Sequence, residues 1–84
     1  MTSPMNIRIK AFGIAREIIN NSKVELTLEG VETTGQLKQY LISAYPAFAE
    51  LLTFSLAVKD EYQEDDFLLT DNDEVIIIPP VSGG

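Results

Sequence analysis

The stretch that decides the fold is TTGQLKQYLISAYP, residues 33–46. Thr33 followed by Gln36 three residues later is typical of a capping box, which marks the first turn of a helix. Apolar residues then recur at helical spacing and form one stripe, at Leu37, Tyr40, Leu41 and Ala44. Pro46 cannot donate to the helical hydrogen-bond ladder, so we expect the helix to end near Tyr45.

Segments with strand patterns lie on both sides of this helix. Alternation of apolar and polar residues is typical of half-buried strands, whereas the unbroken run VIII at residues 75–78 indicates a central or doubly covered strand. The predicted strands are residues 5–12, 23–28, 54–58 and 75–78, with a short edge strand around Tyr62 and a short helix at residues 14–19. Strands that precede and follow one principal helix predict an α+β fold, in which the helix packs across one face of the sheet.

Length and composition predict one small domain, residues 1–84. The chain has no cysteine and no histidine, which excludes disulfides, thiolate nucleophiles and the commonest general base. Its formal net charge of −7 disfavours nucleic acid and anionic membranes as partners. The acidity either matches a basic protein partner or serves solubility alone. Residues 1–5 are polar and have no apolar signal core, so we expect a cytoplasmic protein.

Two acidic stretches are candidate cation sites. Residues 61–66 hold several carboxylates, and residues 71–73 have the opening of a calcium-binding loop. That loop needs a glutamate at its twelfth position, which this chain lacks. We therefore interpret both stretches as solvated surface, with Asn72 as a left-handed turn residue and no metal site. Between the two stretches, Leu68 and Leu69 are predicted to anchor the chain on the core.

The remaining candidate chemistry lies in the C-terminal tail, residues 79–84, PPVSGG. Its two prolines end the last strand and direct a flexible tail away from the domain. Gly83 and Gly84 have no side chain, which lets the tail enter a narrow channel and leaves the terminal carboxylate sterically open. Joined to AMP, that carboxylate would form a mixed anhydride, which a sulfur donor can convert into a thiocarboxylate. Ser82 has no base near it in sequence and is interpreted as a small tail residue, not a nucleophile.

Three motifs together carry a resemblance to a known family. They are FGIARE at residues 12–17, the helix start at residues 33–37, and an apolar run between DEV at residues 73–75 and PPVSGG at residues 79–84. In this order they resemble the small subunits of molybdopterin synthase, which are MoaD-type sulfur carriers of the ubiquitin-like MoaD/ThiS family. The resemblance covers nearly the whole chain. Its departures from the family pattern are at Lys59, Asn72 and the acidic residues 61–66.

The resemblance implies a β-grasp fold with a mixed sheet and a sulfur carrier that is not catalytic alone. An ATP-dependent, MoeB-type adenylating enzyme would activate Gly84, whose carboxylate would then become a thiocarboxylate, with no permanently bound cofactor. A MoaE-type large subunit would receive the tail, and sulfur would pass to cyclic pyranopterin monophosphate in molybdenum cofactor biosynthesis. In that family, two small and two large subunits form the synthase.

The predicted partner-facing surface combines apolar residues of the domain with the tail. Phe12, Tyr62 and Ile78 match, by position, apolar contacts of the family's partner-facing surface. The register of Ile76 with Ile78 predicts an interface with an apolar centre and an acidic rim. The remaining predicted contacts belong to the tail, at Pro79, Pro80, Val81 and Ser82, and lead to Gly83 and the reactive Gly84.

Two alternatives stay open at this point. Other sulfur carriers with the same fold serve thiamin thiazole formation, cysteine synthesis or tRNA thiolation. They share the terminal Gly-Gly but usually lack the PPVS sequence found at residues 79–82. The second alternative belongs to a different functional class, in which the chain is a β-grasp interaction module that carries no sulfur.

Overall fold

The computed structural model describes residues 4–51 and 54–79. In chain order, its elements are β1 (Met5–Ala11), α1 (Gly13–Ile19), β2 (Lys23–Leu28), α2 (Thr34–Ala44), a 3₁₀ helix (Pro46–Glu50), β3 (Ser55–Val58), β4 (Glu61–Gln63) and β5 (Asp73–Ile78). The predicted strands and helices are confirmed, and β5 begins at Asp73, inside the predicted turn. Across these residues, none of the helices is both long and apolar enough to span a membrane.

The strands of the described residues form one mixed sheet in the order β2-β1-β5-β3-β4. β1 pairs antiparallel with β2 and parallel with β5, and β3 pairs antiparallel with both β5 and β4. The VIII run therefore lies in an interior strand, as its unbroken apolar pattern predicts. This arrangement is the β-grasp fold that the resemblance implies.

The inner face of the sheet, as we call the face covered by the helices, carries the core. Its strand residues that are at most 1% exposed are Ile7, Ile9, Ala11, Leu56, Val58, Val75 and Ile77. α2 packs Leu37 and Leu41 against them, and the 3₁₀ helix adds the buried ring of Phe48. The predicted stripe of α2 is correct at Leu37 and Leu41 but wrong at Ala44, which is exposed. Of the predicted leucine anchor, Leu69 is buried and Leu68 is 67% exposed.

The first turn of α2 has the predicted capping box. The backbone N–H of Gln36 donates to Oγ1 of Thr33 at 3.2 Å, and the backbone N–H of Thr33 donates to Oε1 of Gln36 at 3.1 Å. Both bonds satisfy donors that the first turn of any helix leaves without an internal partner. At the other end, Tyr45 leaves the helical conformation, with φ −131° and ψ 84°, directly before Pro46.

The β3–β4 hairpin has a strained two-residue loop. Val58 pairs with Glu61, so Lys59 and Asp60 alone form the connection. Both have positive φ, 57° and 65°, as the tightest hairpin turns require. Such turns favour Asn-Gly, because a Cβ disfavours the left-handed region. The predicted left-handed conformation of Asn72 is confirmed by its φ of 68°.

Candidate functional site

The outer face of the sheet, opposite the helices, carries a continuous row of paired residues. The strand register aligns Lys23, Lys10, Ile76, Ala57 and Tyr62, from β2 at one edge to β4 at the other. Directly paired residues project from the same side of a sheet, so these side chains share the outer face. The row is cationic over β2 and β1 and mainly apolar over β5, β3 and β4.

Two further apolar residues widen this row near the end of β5. Ile78 lies two residues beyond Ile76 and so shares its face. Phe12 lies two residues beyond Lys10, and its extended backbone (φ −132°, ψ 158°) continues the strand alternation, so its side chain lies on this face too. We call Phe12, Tyr62, Ile76 and Ile78 the outer-face patch. Phe12 and Tyr62 are 56% and 69% exposed, whereas the two isoleucines are half-buried. Large apolar side chains exposed together indicate a surface that a partner covers.

The end of β5 lies beside this patch. A Cβ placed on Gly13 would be 4.0 Å from Cγ of Pro79, so the residue after β5 packs against the start of α1, next to Phe12. Gly13 has a φ of +57°, a conformation that glycine adopts at no steric cost. The structure thus brings the predicted contact residues of the domain to one face, together with Pro79. The other predicted tail residues lie outside the described residues: Pro80, Val81, Ser82, Gly83 and Gly84.

Charged side chains border the outer-face patch at both edges of the sheet. At the β3–β4 edge, the loop contributes the exposed Lys59 and Asp60, whereas Glu61 pairs with the buried Val58 and so projects from the helix-covered side. At the opposite edge, β1 and β2 contribute Arg8, Lys10 and Lys23. Charges of both signs therefore border the patch at each edge, since Glu25 pairs with Arg8 on the β1–β2 side, and the acidic rim expected from the sequence stays a prediction.

The acidic stretch at residues 61–66 does not form a freely solvated loop, because part of it docks on the first turn of α2. The backbone N–H of Gly35 donates to the carbonyl of Asp65 at 2.9 Å, and Oγ1 of Thr34 donates to the carbonyl of Glu64. Thr34 is fully buried, and a Cβ on Gly35 would lie 3.0 Å from the Asp65 carbonyl oxygen. Sequence reasoning missed this contact, because no local pattern pairs Thr34 with a carbonyl so distant in the chain.

The second acidic stretch, at the turn before β5, also has a structural role. Oδ1 of Asp71 accepts the backbone N–H of Asn6 at 2.8 Å, and Oδ2 of Asp73 accepts the backbone N–H of Thr70 at 2.8 Å. The first bond ties the turn to the start of β1, and the second closes the turn itself. In the part of the chain that the structure describes, no group of three or more Asp or Glu side chains could hold a metal ion.

Sequence comparison shows that the chain is similar to proteins named as sulfur carrier subunits. The molybdopterin synthase sulfur carrier subunit of Arabidopsis thaliana is 32% identical over 84 residues, covering 99% of this chain and 88% of that protein. The subunit of the same name from Chlamydomonas reinhardtii is 39% identical over 85 residues, covering 95% of this chain and 100% of that protein. The similarity therefore extends over the whole fold and is not confined to the C-terminal motif.

Solved structures share the fold at lower sequence identity. Small archaeal modifier protein 1 from Methanosarcina acetivorans superimposes with a TM-score of 0.77 at 22% identity, covering 96% of this chain and 98% of that chain. A chain of the BexX/CysO complex of Amycolatopsis orientalis gives a TM-score of 0.68 at 20% identity, covering 93% and 99%. At these identities the likeness establishes a shared fold and does not extend to activity.

A family model also matches most of the chain. It is described as the ThiS family and covers residues 9–84, from within β1 to the last glycine. The match includes the capped helix α2 and the C-terminal motif that carries the resemblance. The chain therefore belongs to the ThiS family.

Proposed function

We propose that this protein is the sulfur carrier subunit of a molybdopterin synthase. The observation that carries the proposal is the outer-face patch, which meets the end of β5 at Pro79, directly before the sequence that leads to Gly84. A carrier needs this arrangement, because its partner must hold the folded domain while it receives the tail. Identities of 32% and 39% to molybdopterin synthase sulfur carrier subunits support this pathway over those of other carriers.

The proposed chemistry takes place at the carboxylate of Gly84. On a MoeB-type adenylating partner, the carboxylate attacks the α-phosphate of ATP, which forms the acyl adenylate and releases pyrophosphate. A sulfur donor at the sulfide level then adds to the acyl carbon and AMP leaves, which gives the thiocarboxylate. On a MoaE-type large subunit, the thiocarboxylate sulfur bonds to a carbon of cyclic pyranopterin monophosphate, and a C–O bond of that carbon breaks with its electron pair going to the oxygen. Water then hydrolyses the resulting thioester and restores the carboxylate of Gly84.

The carrier contributes binding and delivery to this cycle. It has no cysteine or histidine to supply a thiolate or a general base, so the chemical steps are assigned to its partners. The outer-face patch holds the domain on each partner, and glycine at the last two positions lets the tail pass through a narrow channel. We place this ATP-dependent cycle in the cytoplasm.

The proposal is tested by measuring the intact mass of the chain after co-expression with the adenylating enzyme of its own organism. We expect a species in which sulfur has replaced one oxygen, and fragmentation should place the change at Gly84. A chain that stays unmodified would be an interaction module. A chain that becomes thiocarboxylated but gives no product with the large subunit and cyclic pyranopterin monophosphate would serve another pathway.

Deletion of Gly84 is the matching variant. One extended residue spans about 3.3–3.6 Å, and a misplacement of about 1 Å can lower a rate on the order of 100-fold. We expect the deletion to eliminate sulfur transfer and to leave the thermal midpoint unchanged, because the residue lies beyond every apolar pattern of the domain. Sulfur transfer by the shortened chain would refute the carrier role.

A further inference from the structure

β2 is an outermost strand of the sheet, and among the described residues no other strand lies along its free side. Edge strands leave backbone donors and acceptors open to pairing with another chain. The opposite edge strand, β4, has three residues, whereas β2 has six. β2 therefore offers the longer free edge of this sheet.

The ladder between β1 and β2 determines which backbone groups face this edge. The N–H of Ala11 donates to the carbonyl of Ser22 at 3.0 Å. In an antiparallel ladder the hydrogen-bonded pairs recur at every second residue, so Val24 and the alternate residues after it bond to β1. The remaining residues of the strand have their backbone N–H and C=O groups at the open edge: Lys23, Glu25 and Thr27.

Two of the donors at this edge are free in the part of the chain that the structure describes. The N–H of Lys23 donates to Oδ1 of Asn21 at 3.3 Å and is therefore satisfied. The N–H groups of Glu25 and Thr27 meet no acceptor among the described residues. An incoming strand would thus find two donors whose only alternative acceptor is water.

A second copy of β2 is complementary to this edge in one register. With a twofold axis at Leu26, two antiparallel copies form one continuous sheet whose inner sides match. Glu25 then lies opposite Thr27 of the second copy, and the free N–H of each donates to the carbonyl of the other. The half-buried Leu26 contacts its own counterpart on the inner side. On the outer side, Lys23 lies opposite the exposed Glu29, which brings opposite charges together.

The neighbouring registers lack this complementarity. An axis at Glu25 sets its carboxylate opposite its own counterpart, and an axis at Thr27 sets it opposite Glu29, so both bring like charges together. An axis at Val24 pairs Lys23 with Glu25 but requires the Lys23 N–H that the chain already uses in its own turn. Charge and free donors therefore agree on a single register.

We propose that two copies of this chain associate through their β2 strands, with the twofold axis at Leu26. The contact involves one strand of each copy and is small beside the roughly 1,200–2,000 Å² of a standard protein interface. The dimer is therefore weak, and we expect it to form at about 0.1–1 mM protein. The outer-face patch contains no residue of β2, so the dimer is independent of the proposed function.

The proposal is tested by NMR diffusion measurements on the full chain across that range of concentration. Thr27→Pro removes one free donor, and the fold should tolerate it because this N–H points away from β1. Thr27→Val keeps the donor and is the matched control. We expect Thr27→Pro to weaken dimerisation about tenfold or more and Thr27→Val to match wild type. A wild-type chain that stays monomeric, or a proline variant that dimerises as wild type does, overturns the proposal.

Charge reversal tests the register with every backbone group left in place. Lys23→Glu and Glu29→Lys each set like charges opposite one another, so both should weaken the dimer about three- to tenfold. The double variant restores opposite charges at the wild-type net charge of −7 and should dimerise as wild type does. Repulsion by net charge alone predicts instead that Glu29→Lys, which adds two positive charges, strengthens the dimer. That result, or a double variant as weak as the single ones, overturns the proposed contact.

Discussion

The inner and outer sides of the sheet differ in how far the chain covers them itself. Ile77 on the inner side is fully buried beneath the helices. The next residue of the same strand, Ile78, is only half-buried, and Phe12 and Tyr62 expose more than half of their surface beside it. Successive side chains of a strand point to opposite faces, so one apolar run serves both sides. The inner side stabilises the fold, whereas the apolar surface outside is the part that a partner would cover in the function proposed above.

The sharpest test of this comparison is the substitution of two neighbouring isoleucines. Ile77→Ala should lower the free energy of unfolding by about 2–5 kcal/mol, because it leaves a cavity in the core. Ile78→Ala removes the same atoms from the outer side and should cost less than half as much. Urea denaturation of both variants measures the two values. Equal losses would mean that the isolated chain already covers its outer face.

Removal of the cap of α2, on the inner side, should give the next largest loss of stability. Thr33→Ala removes the acceptor of the Gln36 backbone N–H and should destabilise the protein by about 0.5–2 kcal/mol. Ser43→Ala, at an exposed position of the same helix, is the control and should stay within about 0.5 kcal/mol of wild type. A thermal midpoint of the Thr33 variant equal to that of wild type would contradict the role of the cap.

The contact between α2 and the acidic stretch depends on the hydroxyl of Thr34, and its removal should lower the free energy of unfolding by about 1 kcal/mol. Thr34→Val keeps the shape of the buried side chain and removes the bond to the Glu64 carbonyl. Amide exchange at residues 61–66 should become faster, because this loop loses one attachment. Thr70→Val, at an exposed position, is the control. Unchanged exchange at residues 61–66 would show that the loop stays in place without the hydroxyl.

The smallest expected change in stability is a gain, and it comes from the loop between β3 and β4. Replacing Lys59 by Asn and Asp60 by Gly together should stabilise the protein by up to about 1 kcal/mol, because both residues have positive φ. Lys59→Ala keeps a Cβ and lacks the amide, so it should give no gain. Thermal denaturation of the three proteins measures the difference. A lower midpoint for the Asn-Gly loop would show that the native turn is not strained.

Patterns confined to one segment predicted their structures correctly. The capping box of Thr33 and Gln36, the stop before Pro46 and the interior strand at residues 75–78 depend on spacing alone. Predictions were wrong where burial depended on another segment, as at Ala44 and Leu68, both exposed. Periodicity identifies the apolar residues that lie on one face of an element, but the packing of neighbouring elements decides which of them reach the core.

The same division applies to the candidate site. Local sequence was enough to single out the C-terminal glycines and the apolar Ile76 and Ile78, because small side chains and strand alternation are properties of adjacent residues. Only the strand register placed Lys10, Lys23 and Tyr62 in one row, since those pairings join segments far apart in the chain. Likewise, Thr33 and Thr34 are adjacent in sequence, yet one caps its own helix and the other anchors a distant loop. Hydrogen bonds within one turn follow from nearby residues, whereas bonds between segments depend on how the whole sheet is assembled.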